Sequence, residues 1–337
     1  MAEMLKVCHD RILPQDLVRP QPTVEMNGRS RAVIEFRKRW INGSTLRVRF
    51  LGGTAAQQAQ VKEQALWWTE HANLRFEFNN APDAEIRITF DPNDGAWSNV
   101  GTDARMVPLN QPTMNLGFMD GGTVAHEFGH AIGLGHEHQN PAGGLQWNEE
   151  VVIRDLGGPP NFWTPEQVRF NVLEKYATDQ IKGTVFDPDS IMLYAFPARW
   201  TRNGTSTRAN EVLSTLDKSF IAGKDGYPRT TVGVTALGVN AAGSTSAVIG
   251  QPGEEDLFTF QVTRRGRHII ETGGQTDVVM KLFGPDSPTS LIAEDDDGGA
   301  GRNARIVARL IPGQYFVQIR HFNTARGTGS YSLSVRT

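Results

Sequence analysis

Apolar positions in the first part of the chain switch between two periods. Thr45-Leu46-Arg47-Val48-Arg49-Phe50 alternates with period two and predicts a strand. From about Thr54 the spacing widens to that of a helix, with Val61, Ala65, Trp68 and Ala72 on one face. Leu74 to Phe78 and Ile86 to Phe90 alternate again, so strand, helix, strand, strand predicts a sheet backed by a helix. The Gly- and Asn-punctuated stretch Gly95 to Met106 predicts an irregular edge strand, and the Gly121-Gly122 pair opens the next helix. Thr164-Pro165-Glu166-Gln167 has the cap and first-position proline of a helix running to about Tyr176, and Leu213 to Ala222 predicts another short helix. Beyond residue 230 only period two remains. Leu257–Val262, Asp277–Phe283, Ala304–Leu310, Gln314–Ile319 and Ser330–Val335 alternate between Gly and Pro turns, the pattern of an antiparallel β-sandwich. The predicted fold class is an α+β domain followed by an all-β sandwich.

Composition agrees with two domains. All seven tryptophans lie in the first 200 of the 337 residues, and the boundary is expected within Tyr227-Pro228-Arg229-Thr230-Thr231-Val232-Gly233. Residues 1–39, with Pro14, Pro20, Pro22 and the basic run Arg37-Lys38-Arg39, predict an extended leader with a protease-accessible end. A net charge of −3 without long basic runs excludes nucleic acid and acidic membrane surfaces as expected partners, and no stretch approaches the ~20 apolar residues that span a bilayer. A single cysteine, Cys8, excludes a disulfide within the chain, and the opening residues carry no apolar export signal.

The chemistry concentrates in His126-Glu127-Phe128-Gly129-His130-Ala131-Ile132-Gly133-Leu134-Gly135-His136-Glu137. On a helix His126 and His130 project from one face one turn apart, a spacing suited to two ligands of one ion. Glu127 is rotated about 100° from that pair and reaches a metal-held water without being a ligand. Gly133 permits a left-handed backbone that ends the helix and lets His136 return as a third ligand. Three imidazoles leave one position of a tetrahedral zinc site open, the arrangement of catalytic zinc. Water there, with Glu127 as general base, implies hydrolysis of an amide.

This segment resembles the HExxHxxGxxHE motif of the metzincin zinc peptidases, in the astacin-like form where a glutamate follows the third histidine. Ser190-Ile191-Met192-Leu193-Tyr194 resembles the Met-turn of that family. The resemblance implies a metzincin-like catalytic domain over residues 40–228, an apolar floor at Met192 beneath the metal, and Tyr194 as a further zinc ligand that swings away to hydrogen-bond the oxyanion. A core aromatic is the other reading of Tyr194. Glu137, by the same resemblance, anchors the new N-terminus once a leader is removed. Two departures stand out: no disulfide, and His138-Gln139-Asn140-Pro141 where the family usually carries an arginine.

By resemblance to the cysteine switch of some metzincin zymogens, Cys8 would block the zinc until cleavage near Arg29 to Arg39; a free thiol is the alternative. Residues 234–337 resemble the bacterial pre-peptidase C-terminal domain, on Glu255-Asp256-Leu257-Phe258-Thr259-Phe260, Leu282-Phe283-Gly284-Pro285 and Pro312-Gly313-Gln314-Tyr315-Phe316-Val317. Asp295 to Asp297 with Asp277 are candidate calcium ligands, an Asp-Gly turn being the alternative. The expected protein is a secreted, monomeric zinc endopeptidase acting on proteins or peptides and made latent by its leader. The competing reading is a zinc-containing binding or adhesion protein whose sandwich is the working part.

Overall fold

The computed structural model describes residues 9–10 (backbone only), 38–140, 143–158, 161–175, 186–223, 226–228, 234–241, 243–324 and 326–337. The chain divides into two compact units, Met1–Tyr227 and Pro228–Thr337. No helix among the described residues is long and apolar enough to cross a membrane.

The first unit is built on a six-stranded sheet of β1 (His9–Asp10), β2 (Thr45–Phe50), β3 (Arg75–Glu77), β4 (Ile86–Thr89), β5 (Ala96–Ser98) and β6 (Met114–Leu116), in the order β1-β5-β6-β4-β2-β3. All pairings are parallel except β5 with β6. Helix α1 (Ala55–Thr69) starts at a capping box in which Thr54 accepts from the Gln57 N–H and the Gln57 side chain accepts from Thr54 N. Its Val61, Ala65 and Trp68 are fully buried against the sheet and against helix α2 (Thr123–Ala131). The Trp68 indole donates to Ala125 O at 2.7 Å, and the buried Gln64 amide bridges Gly121 O and Ala125 N at the uncapped start of α2. The other end of α2 is closed by residues far from it in sequence. Trp40 Nε1 donates to Ala131 O at 2.7 Å and the Tyr227 hydroxyl to Ile132 O at 2.6 Å, satisfying carbonyls that a helix terminus leaves open.

Three local expectations need correction. The stretch Gly95 to Met106 is a strand only over Ala96–Ser98, and a 3₁₀ turn follows at Gly101–Met106. It is also not the sheet edge, because β1 pairs on it. Gly101 allows the reversal: its φ is +50°, and a Cβ there would lie 1.9 Å from Lys38 O. The helix begun at Thr164 is α-helical over Pro165–Val168 (α4) and passes into a π turn at Arg169–Leu173, ending short of Tyr176, which lies outside the described residues. Between them the pattern hid α3 (Glu149–Gly157), whose nine residues bury only Val152 and Leu156. Helix α5 (Thr215–Ala222) follows, capped by Ser214.

The second unit contains β7 (Thr235–Ala236), β8 (Thr245–Ile249), β9 (Glu255–Val262), β10 (Gly266–Gly274), β11 (Val278–Phe283), β12 (Leu291–Asp295), β13 (Arg305–Leu310), β14 (Gly313–His321) and β15 (Gly329–Arg336). They form sheets of order β13-β10-β15-β8 and β12-β11-β14-β9-β7. One apolar cluster draws on both, with Ile270, Ile306 and Leu333 from the first and Phe258, Met280 and Val317 from the second.

Candidate metal centre

Helix α2 brings His126 and His130 to one face, as their spacing requires. Its last turn closes with Gly133 N donating to His130 O at 2.8 Å and Leu134 N to Gly129 O at 2.9 Å. Gly133 sits at φ +100°, and the reversed chain returns His136 to the same point. His130 Nε2 lies 3.0 Å from the Nε2 of His126 and 3.0 Å from that of His136. These distances approach the ~3.3 Å edge of a tetrahedron with ~2.0 Å zinc–nitrogen bonds. All three rings are buried, and among the described residues theirs is the one group of ligand atoms gathered within 4.8 Å.

The outer ring nitrogens say which tautomer is present. His126 Nδ1 lies 2.7 Å from Ile191 O and His130 Nδ1 lies 2.9 Å from Leu134 O. A carbonyl oxygen only accepts, so both Nδ1 atoms carry the proton and both Nε2 lone pairs point inward. Neutral imidazoles held by backbone carbonyls behind them are the donor set that a zinc ion takes. Lone pairs converging at 3.0 Å repel one another unless a cation lies among them, so the residues present fit the metal.

The other residues singled out in the sequence surround this point. Glu127, on the same helix, is 0% exposed. Tyr194 is buried, with its ring centroid 4.3 Å from that of His136 and 6.1 Å from that of His126. Met192 lies under the helix between the two ligand histidines: a Cβ added at Gly129 would fall 2.4 Å from its Sδ. The turn that carries Met192 is tied to α5, since Asp217 accepts from Ser190 Oγ at 2.7 Å and from Ile191 N at 2.8 Å. Glu137 donates its N–H to Met192 O at 3.0 Å, and its carboxylate accepts from Asp187 N and Asn140 Nδ2, each at 2.9 Å. Burial pushes the Glu137 carboxyl up to about 7.

Two features were not foreseen. His138 stacks on the Tyr194 ring at 4.2 Å and 26°, and its Nε2 donates to Asn171 O at 2.9 Å. With Gln139 Nε2 donating to Phe170 O at 2.7 Å, the 3₁₀ turn Glu137–Gln139 after the third ligand is bolted to the π turn. The only sequence signal was that both residues follow the motif directly. The second feature is β1: His9 and Asp10 pair in parallel with Trp97 and Ser98 of β5. Cys8 lies outside the described residues. In the second unit Asp295 Oδ2 accepts from Gly298 N at 2.8 Å and from Arg305 N at 2.7 Å, while Arg302 lies 3.5 Å from Asp277.

A family model described as Astacin, a peptidase family, matches residues 32–218. Among curated proteins the chain is similar to zinc metalloproteinase nas-30 of Caenorhabditis elegans, 27% identical over 180 residues that cover 51% of this chain and 22% of that protein. It is similar also to zinc metalloproteinase dpy-31 of Brugia malayi, 32% identical over 167 residues that cover 47% of this chain and 25% of that one. The chain thus spans about a quarter or less of the length of these relatives. Among solved structures, that of myroilysin matches with 38% identity and a TM-score of 0.54, over 58% of this chain and 98% of the myroilysin chain.

Proposed function

Because the chain belongs to the astacin family of peptidases, we propose that it is a zinc-dependent endopeptidase whose metal is held by His126, His130 and His136. The observation that carries this reading is the convergence of three buried imidazoles, two of them anchored through Nδ1, beside a fully buried glutamate on the same helix. Zinc at that point supplies Lewis acidity toward water and the scissile carbonyl. Glu127 takes the proton of the attacking water and returns it to the leaving amine, a transfer its low-dielectric surroundings favour. Tyr194, held between His136 and His138, offers its hydroxyl to the developing oxyanion and is a further ligand when no substrate is present. Met192 keeps the floor beneath the ligands apolar.

The leader, residues 1–39, makes the enzyme latent in this reading, with Cys8 as the zinc-blocking thiolate. The pairing of His9–Asp10 on β5 supports it, because an extended substrate adding to that edge by main-chain hydrogen bonds needs the same positions. Removal of the leader creates an α-ammonium, and the buried Glu137 carboxylate, whose charged form burial disfavours, is a fitting partner for it. Residues 40–228 are then the peptidase domain and 234–337 a pre-peptidase C-terminal β-sandwich, supported by the two sheets that share one core. At Asp295 the backbone N–H contacts favour the Asp-Gly turn over calcium. Export from the cell fits this domain pairing.

Casein cleavage by the intact chain, before and after limited trypsin, tests the proposal. Activity is expected only after nicking, to be abolished by Glu127→Ala and by chelators, and to appear without nicking in Cys8→Ala. Zinc bound without activity in any sample overturns the peptidase reading in favour of a binding protein. Equal latency in wild type and Cys8→Ala overturns the switch alone.

A further inference from the structure

The outward face of sheet β13-β10-β15-β8 carries a charge pattern unrelated to the metal centre. In the β10–β13 ladder Arg267 stands directly opposite Arg309, and both are exposed. Like charges facing each other across a ladder destabilise it. Arg264 and Arg265, in the turn that leads into β10, extend the same end. Among the described residues none of these four arginines is in an ion pair.

Two residue pairs along, on the same face, Val307 faces Ile269, which faces Arg336 on the other side. In the next row Arg305 faces Glu271, and that carboxylate is shared between Arg336 and Arg305. Six arginines therefore stand around one acidic residue, with Val307, 47% exposed, between them and Ile311, also 47% exposed, in the adjoining turn. The chain as a whole is net negative, and residues 228–337 hold ten arginines and one lysine. Arginine in place of lysine favours forked, bidentate pairing with carboxylates.

We propose that this face is a docking surface for acidic polypeptide, carboxylates spaced by apolar side chains, and so selects the protein substrates brought to the peptidase. Opposed charges supply the attraction and the Val307–Ile269 strip the apolar contact. A sugar polymer would call for aromatic platforms, whereas among the described residues of this unit the exposed large apolar side chains, Val234, Val248, Val307 and Ile311, are all aliphatic. The proposal takes its purpose from the peptidase reading, but the binding it asserts is independent of catalysis.

The full chain carrying Glu127→Ala, so that nothing bound is cut, is titrated with a fluorescein-labelled random copolymer of glutamate and leucine. Saturable binding is expected at about 50 mM salt, and it weakens at about 500 mM, where screening shortens to a few ångströms. Arg267→Gln with Arg309→Gln weakens it about tenfold, the loss of two exposed but forked ion pairs. The paired lysine variant recovers part of that loss, while Arg326→Gln, in the turn before β15, changes nothing. Equal binding by the paired glutamine variant overturns the proposal, as does no binding at all. Heparin held more tightly by the same arginines overturns it in favour of an acidic glycan. In the active chain the paired variant raises KM for the copolymer and leaves kcat/KM for a short neutral peptide unchanged. If neither substrate is cut while binding persists, the peptidase reading fails and the docking surface stands.

Discussion

Replacing Asp217 with alanine tests whether the floor of the metal centre is held from outside it. Asp217 is the third residue of α5, where Ser214 Oγ accepts from its N–H and its own Oδ2 accepts from Ser214 N, both at 2.9 Å. The same carboxylate accepts from Ser190 Oγ at 2.7 Å and Ile191 N at 2.8 Å. Ile191 in turn presents its carbonyl to His126 Nδ1 at 2.7 Å. One side chain thus connects a helix start, the Met192 turn and the acceptor that fixes the tautomer of a ligand.

Alanine leaves two backbone N–H groups and one hydroxyl without their acceptor. The hydroxyl can rotate to another partner, but the two amides cannot, and each costs about 1–3 kcal/mol when stranded. Burial disfavours the charged form of Asp217 and offsets part of this, so a net loss of about 2–4 kcal/mol is expected. Urea unfolding of the metal-free chain measures it. Zinc affinity, read by chelator competition, should fall about 10- to 100-fold, the usual effect of disturbing what orients a ligand histidine. Asp217→Asn keeps one acceptor oxygen and should fall between. A loss below about 1 kcal/mol with unchanged zinc affinity would refute the reasoning, since stranded amides cannot be that cheap.

Two further outcomes follow from packing and charge. Gly129→Ala gains up to about 1 kcal/mol of helix propensity, yet its Cβ would lie 2.4 Å from Met192 Sδ and 3.0 Å from Trp68 Cζ2. Overpacking of about 1–3 kcal/mol wins, so the melting temperature should drop; a rise would show that Met192 moves aside freely. In the second unit, burial raises the Asp256 carboxyl to about 6, although it accepts from the Tyr331 hydroxyl at 2.5 Å. A raised carboxyl pKa means that the folded state binds the proton more tightly than the unfolded one. The contribution, at most about 3 kcal/mol, is therefore present below about pH 4 and lost as pH rises through about 6. Unfolding of this unit between pH 4 and 7 should show that fall in wild type and a flatter profile in Asp256→Asn; parallel profiles would refute it.

What could be read from sequence was what lies close along the chain. His126, Glu127, His130, Gly133 and His136 span eleven residues, and helix periodicity plus one left-handed glycine suffices to converge the rings. Strands with a clean period were equally legible, whereas β10 was not: Gly266-Arg267 opens it and Gly273-Gly274 closes it, which masks the buried alternation of His268, Ile270 and Thr272. Non-local pairing left no trace at all. Nothing about Asp217 says that it reaches back to Ser190 and Ile191, and nothing about His9 and Asp10 says that they sit beside residues 97 and 98. The same holds for Arg267 and Arg309. Their opposition exists only in one register of β10 on β13, and a slip of β10 by one residue would turn Arg267 into the core. That register is fixed by the alternate residues His268, Ile270, Ile306 and Leu310, all buried. The apolar face therefore determines the charged one, and the like-charge pair is tolerated because the core packing that sets it outweighs the roughly 0.2–1 kcal/mol such a pair costs.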